Sequence, residues 1–171
     1  MGLSNLGIFH TIIGVVAILS ALFGFIRYSK INLATLSGKI YFYATLITSL
    51  TALGISKQGG FNAGHVFSLF IILLISIAFY LSLRKKEKKA RYIENFLLSF
   101  SLLLSLVPTV NETFTRVPIG HPLASGSKDP IIVQTLMVLF VFFIIGSIIQ
   151  FIKQKKVNIN KGAASVYGEG Q

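Results

Sequence analysis

Charged residues are absent from five long stretches of this chain, residues 1–26, 40–56, 58–83, 95–111 and 130–152, and this spacing constrains the fold more than any motif. A bilayer core about 30 Å thick needs roughly 20 helical residues, with a lower limit near 17. The runs predict five transmembrane helices over 8–26, 40–56, 62–83, 93–110 and 131–152. A closed β-barrel is the other way to cross lipid. No run alternates polar and apolar residues with a period of two, and the number of spans is odd.

Composition agrees. Of 171 residues, 53% are hydrophobic and 12% are charged, with a mean hydropathy of +0.76. A water-soluble domain would be about one quarter charged. The net charge of +11 suggests nucleic acid only if positions are ignored. The basic residues lie in clusters between the spans, as loops beside an anionic leaflet do, so nucleic acid is not an expected partner and membrane lipid is. With no cysteine, disulfides, thiolate metal sites and thiol nucleophiles are excluded.

The same clusters set an orientation. Arg27, Lys30 and Lys39 lie in the first connection. Arg84, Lys85, Lys86, Lys88, Lys89 and Arg91 lie in the third, and Lys153, Lys155, Lys156 and Lys161 in the tail. Only Lys57, Arg116 and Lys128 fall on the other side. The positive-inside tendency predicts an outer N-terminus and a cytosolic C-terminus. Tyr28, Tyr41, Tyr43, Tyr80 and Tyr92 all fall near predicted cytosolic helix ends, as a one-sided aromatic belt would. The first run lacks the basic segment that precedes a cleaved signal, and is read as a retained helix. The expected organisation is a five-helix domain over 1–156 and a glycine-rich, flexible cytosolic tail over 157–171.

Helices in lipid associate through close van der Waals contact and hydrogen bonds, so small residues mark their seams. Gly14, Ala17, Ala21 and Gly24 form such a stripe on the first span, and His10 extends it outward. Thr45, Thr48, Ser49 and Ala52 do so on the second, and Ser101, Ser105 and Thr109 on the fourth. Those hydroxyls are expected to be satisfied within ordinary packing. The fifth span is bulky and apolar, with Gly146 and Ser147 as its small contacts. The fold class is all-α: a polytopic membrane bundle with a four-helix core, sequential antiparallel neighbours and one peripheral helix.

All three histidines fall on the predicted outer side. His10 and His65 lie about one turn inside the outer ends of the first and third spans, and His121 lies in the loop of 111–130, which has the prolines and length of a cover over an outer cavity. Glu112 lies at the outer end of the fourth span and Arg116 in that loop. Two ligand chemistries suit such a group. His10, His65, His121 and Glu112 form a donor set for a divalent transition metal. Alternatively, His10 and His65 form an axial pair for haem b, with Gly14 making room for the porphyrin and Arg116 pairing with a propionate. No His-x-x-x-His spacing is present, so either site would be assembled from separate segments. Glu94, near the cytosolic end of the fourth span, reads as a structural carboxylate at a helix N-terminus, neutralised by Lys39 or its neighbours.

His10-x-x-x-Gly14, Ser37-Gly38-Lys39-Ile40-Tyr41 and His65 together resemble an uncharacterised family of small bacterial predicted membrane proteins whose first transmembrane helix opens on a histidine. The resemblance covers roughly 8–152 and implies a bacterial inner-membrane setting without a reaction. Ser37-Gly38-Lys39 and Lys89-Ala90-Arg91 stand where members of that group carry histidine beside basic residues. The resulting reading is a small integral membrane protein with a haem or transition-metal site on its outer face for redox or sensory work. Two other readings compete with it: a non-catalytic interaction or assembly subunit, with a protein partner or a second copy of itself, and a metal-dependent membrane hydrolase. No catalytic residue is assigned.

Overall fold

The computed structural model describes residues 4–55, 60–84 and 88–168, with side chains through residue 160. Lys57, Lys85 and Lys86 of the topology argument lie outside the described residues, as does the side chain of Lys161. Five helices follow one another: α1 (Asn5–Tyr28), α2 (Leu36–Leu53), α3 (Ala63–Leu83), α4 (Lys88–Phe114) and α5 (Pro130–Gly168). No strand occurs among the described residues.

The helix starts are written locally. Ser4 and Thr35 accept from Gly7 N–H (3.1 Å) and Gly38 N–H (3.2 Å), each satisfying an amide that the first helical turn leaves open. Asn62 caps α3, accepting from Gly64 N–H (2.8 Å). Before α5, Asp129 accepts from Ile131 N–H (3.2 Å), and Pro130, which has no N–H to satisfy, takes the first helical position.

α1, α3, α4 and α5 are long and apolar enough to cross a membrane. α2 is not among them: it has 18 residues, rising about 27 Å, and contains Lys39, two tyrosines and three threonines. α2 nevertheless runs the full depth of the bundle. Near the start of α1, His10 contacts Thr48 and Thr51 late in α2. Near the end of α1, Gly24 faces Lys30 and Ile31, in the connection that leads into α2.

Consecutive helices pack against one another, α1 on α2, α2 on α3, α3 on α4 and α4 on α5. One apolar core draws on the first four, with Ala17, Ala21, Tyr41, Ala44, Ile75, Ala78 and Leu98 buried in it. The α1–α2 connection joins that core because Ile31 and Leu33 turn inward. Gly38 makes this possible: a Cβ there would sit 1.9 Å from the Asn32 carbonyl oxygen. Gly14, by contrast, has ordinary space, its nearest neighbour being Thr48 Cγ2 at 3.5 Å from a built Cβ. The α4 hydroxyls are satisfied as expected, Ser101 donating to Leu98 O, Ser105 to Ser101 O and Thr109 to Ser105 O, whereas on α2 the buried Thr48 hydroxyl has no partner, contrary to expectation.

α5 is the peripheral helix and shows most of its apolar surface outward. Its 39 residues correspond to roughly 58 Å, about twice the hydrocarbon thickness. The backbone is therefore helical through 157–168, where composition carries no helical signal. Two expectations are corrected. Tyr41 is no belt residue: it is 1% exposed and donates or accepts a 2.7 Å hydrogen bond with Ser101 on α4, while Tyr43 and Tyr80 remain exposed. Gly146 faces open space rather than a neighbouring helix. The contacts of α5 with α4 are made instead by Phe143, on Phe96 and Phe100, by Phe151, on Tyr92, and by the buried Gln150 and Gln154.

Candidate functional site

The two membrane histidines meet at one end of the bundle, on a shared partner. His10 Nδ1 lies 3.0 Å from Thr48 O and 3.1 Å from Thr51 Oγ1. A carbonyl only accepts, so Nδ1 carries the proton and Nε2 carries the lone pair. His65 Nε2 lies 3.1 Å from Leu53 O, and its Nδ1 accepts from Asn62 N–H at 3.0 Å. His65 is therefore a neutral ring protonated at Nε2, with both nitrogens engaged. The Asn62 side chain and the His65 ring satisfy one another's backbone amides in a reciprocal cap of α3.

Leu53 closes α2, and the last carbonyls of a helix have no partner within it. His65 supplies such a donor at the negative end of the α2 dipole, and His10 bonds one turn deeper. The imidazoles thus act as cross-helix donors that tie α1 and α3 to the C-terminal end of α2. Phe61 stacks on the His65 ring with centroids 5.4 Å apart.

The other predicted groups do not close into a donor set around these rings. Glu112 pairs with Arg116 one turn on, and lies within electrostatic reach of His10. His121 is exposed in the loop, its backbone N–H donating to Pro118 O at 3.2 Å. Gly14 faces Thr48 on α2. Among the described residues, no three histidines or carboxylates are grouped to hold a metal ion. For a bis-histidine haem, His65 has no lone pair free of an existing hydrogen bond. The donor set as arranged fits neither group.

The loop is fastened at both ends. Ala124 N–H donates to Phe114 O at 2.9 Å, closing the last turn of α4, and Ala124 is buried. Asp129 accepts from Ser125 N–H (3.0 Å) and Ser125 Oγ (3.1 Å), as well as from Ile131. These hydrogen bonds, with the Ser125 amide foremost, hold the Asp129 carboxyl below its ordinary value of 3.8.

A second polar group, which sequence reasoning did not single out, lies at the opposite, basic end between α4 and α5. Asn95, Ser99, Gln150 and Gln154 are all buried. Asn95 Nδ2 donates to Gln154 Oε1 at 3.3 Å, and Lys30 Nζ donates to the same oxygen at 3.3 Å. Ser99 Oγ lies 2.8 Å from Asn95 O and 3.0 Å from Gln150 Oε1. Lys153 donates to Ser29, so α5 is also tied to the α1–α2 connection. Glu94 is buried in the same region with the Arg91 guanidinium 3.6 Å away, near enough to neutralise it and too far for a hydrogen bond. Lys30 adds the second positive charge. Of the basic residues expected near Glu94, Arg91 and Lys30 are the ones beside it and Lys39 is exposed; α4 begins at Lys88, so Glu94 lies beyond the first turn and not at the helix N-terminus as expected.

The missed signal was periodic. Gln150 and Gln154 recur four residues apart on an otherwise apolar helix, and Asn95 and Ser99 do the same on α4. Two such polar pairs on helices joined by one loop are positioned to meet. Beside them, Tyr92, Asn95, Phe96, Ser147, Ile148, Gln150 and Phe151 line a cavity of about 290 Å³. Comparison with protein-family models, with curated proteins and with solved structures finds no match for this chain in any of the three.

Proposed function

We propose that this chain is a non-catalytic membrane interaction or assembly subunit, acting through the surface of a five-span bundle. The observation that carries the reading is the use made of the histidines: of the four ring nitrogens of His10 and His65, two tie helices together and a third caps α3. Imidazoles engaged in this way contribute to the shape of a bundle, whereas ligand or proton-transfer duty requires a free nitrogen facing a reactant. The outward apolar face of α5 is the surface such a subunit would offer.

In this reading α2 crosses the bilayer with the other four helices, because it packs along α1 and α3 with the histidine bonds at one end and the α1–α2 connection at the other. The basic clusters then place the C-terminus in the cytosol and the N-terminus outside, in a bacterial inner membrane. The chain has no cysteine, so single cysteines introduced at Ser4 and at Asn160 report sidedness directly. Ser4→Cys labelled only from outside and Asn160→Cys only from the cytosol is the expected result.

Crosslinking in native membranes followed by native mass measurement tests the function. A discrete complex, with no haem absorbance and no stoichiometric metal in the purified chain, is expected. A Soret band, or one equivalent of metal that disappears in His10→Ala and His65→Ala, would replace this reading with the cofactor one.

A further inference from the structure

The cavity between α4 and α5 is lined by two buried polar groups whose hydrogen-bonding capacity is unused. Gln150 is 5% exposed, yet its amide nitrogen has no partner, and the buried Ser147 hydroxyl beside it has none either. An unsatisfied buried polar group costs about 1–3 kcal/mol, so two lining one cavity describe a receptor for something that hydrogen-bonds. Ser99 has a single hydroxyl proton to divide between Asn95 O and Gln150 Oε1. Turning the Gln150 amide over would let Ser99 accept from it and would present the amide oxygen to the cavity. Either orientation leaves one Gln150 amide atom over, a donor in one case and an acceptor in the other. A hydroxyl group both donates and accepts, so it satisfies Gln150 in either orientation and Ser147 as well.

The walls indicate where that hydroxyl comes from. Phe96, Ile148 and Phe151 line the cavity and remain about half exposed on its outer flank, so it opens sideways along an apolar surface. Acyl chains suit that flank. The depth suits a headgroup boundary, since Tyr92 lies in the wall and Lys30, Arg91 and Lys153 lie at the same end of the bundle. At about 290 Å³ the space is at the small end of ligand sites, room for a polar head with the chains outside.

We propose that the α4–α5 cavity binds the glycerol hydroxyl of a membrane lipid, with Gln150 and Ser147 as its hydrogen-bonding partners and Phe96, Ile148 and Phe151 against its acyl chains. Neutral diacylglycerol and anionic phosphatidylglycerol both carry this chemistry; phosphatidylcholine has no free hydroxyl and serves as the control.

The test uses the full chain in vesicles doped with a photoreactive acyl analogue of each of the three lipids, with peptide mapping after illumination. Either hydroxyl lipid is expected to label residues 92–96 and 147–151 at least fivefold more than the phosphatidylcholine analogue, and the stronger of the two identifies the source. Ser147→Ala, which removes the hydroxyl, is expected to lower that labelling severalfold. Ile148→Trp, at an exposed position that leaves the buried network intact, blocks the mouth and is expected to abolish it. Equal labelling by all three lipids, labelling unchanged in Ile148→Trp, or no labelling of these residues would each overturn the proposal.

Discussion

The two ends of this bundle use polar groups in different ways. At the histidine end, His65 engages both ring nitrogens and His10 donates to a carbonyl that α2 presents, while the buried Thr48 hydroxyl has no partner. At the basic end, ordinary amides and hydroxyls form a larger network and leave Gln150 Nε2 and Ser147 Oγ over. Rare residue types draw attention in a sequence, but the capacity to bind belongs to groups the fold has not already satisfied. In lipid this contrast sharpens, because no water is available to take up what remains.

Substitutions at each end separate the two roles. The largest effect is expected at the basic end, from Gly38→Ala. Its new Cβ would fall 1.9 Å from Asn32 O, and because backbone has to shift, a loss of about 3 kcal/mol is expected, read as thermal unfolding in micelles. Gln154→Leu comes next. It removes the acceptor of the buried Asn95 amide, an oxygen that Lys30 also donates to, for a loss of about 2 kcal/mol by the same assay. If Gln154→Leu left stability unchanged, the network would be incidental.

At the histidine end, His65→Ala removes half of the α3 cap and the donor to Leu53 O. The expected loss is about 1.5 kcal/mol, with faster hydrogen exchange at the first turn of α3. Gly14→Ala tests the same end from the packing side. With 3.5 Å to Thr48 Cγ2, the added methyl fits, and the better helix propensity of alanine offsets any crowding, so a change within about 0.5 kcal/mol is expected. A large loss there would mean that α1 and α2 approach more closely than the hydrogen bonds of His10 require.

The smallest effect concerns the α4–α5 loop and pH. The Asp129 carboxyl titrates below its ordinary value of 3.8 when folded, so its contribution is present above that value and is lost as pH falls through the lower, folded one. Hydrogen exchange at the Ser125 and Ile131 amides should therefore stay slow from neutral pH down to the ordinary carboxylate range and rise only in stronger acid, after correction for the intrinsic rate. Asp129→Asn should show fast exchange at Ser125 throughout.

Much of the architecture was legible because a bilayer reduces the choices. Charge-free length predicted the helices, and small-residue periodicity on α1 predicted the seam with α2, where Ala17, Ala21 and Gly24 are buried. The histidines were correctly read as neighbours in depth, since antiparallel hairpins bring the start of α1 and the start of α3 to the end of α2. Their partners were not legible. Whether an imidazole meets a metal, a proton donor or a backbone carbonyl depends on helix rotation and ring orientation, which hydropathy does not encode. Tyr41 illustrates the same gap: its place near a helix end suggested the interface, and rotation put it in the core against Ser101.

Hydrophobic run length and the placement of lysine and arginine determined, from sequence alone, an all-helical membrane bundle with one basic end, because lipid tolerates few other arrangements of backbone and charge. Only the tertiary structure decided which polar groups are satisfied. The Gln150 amide nitrogen and the Ser147 hydroxyl differ from the Ser99 hydroxyl and the Gln154 amide by a partner about three ångströms away, and whether one is present depends on how α4 and α5 are rotated against each other.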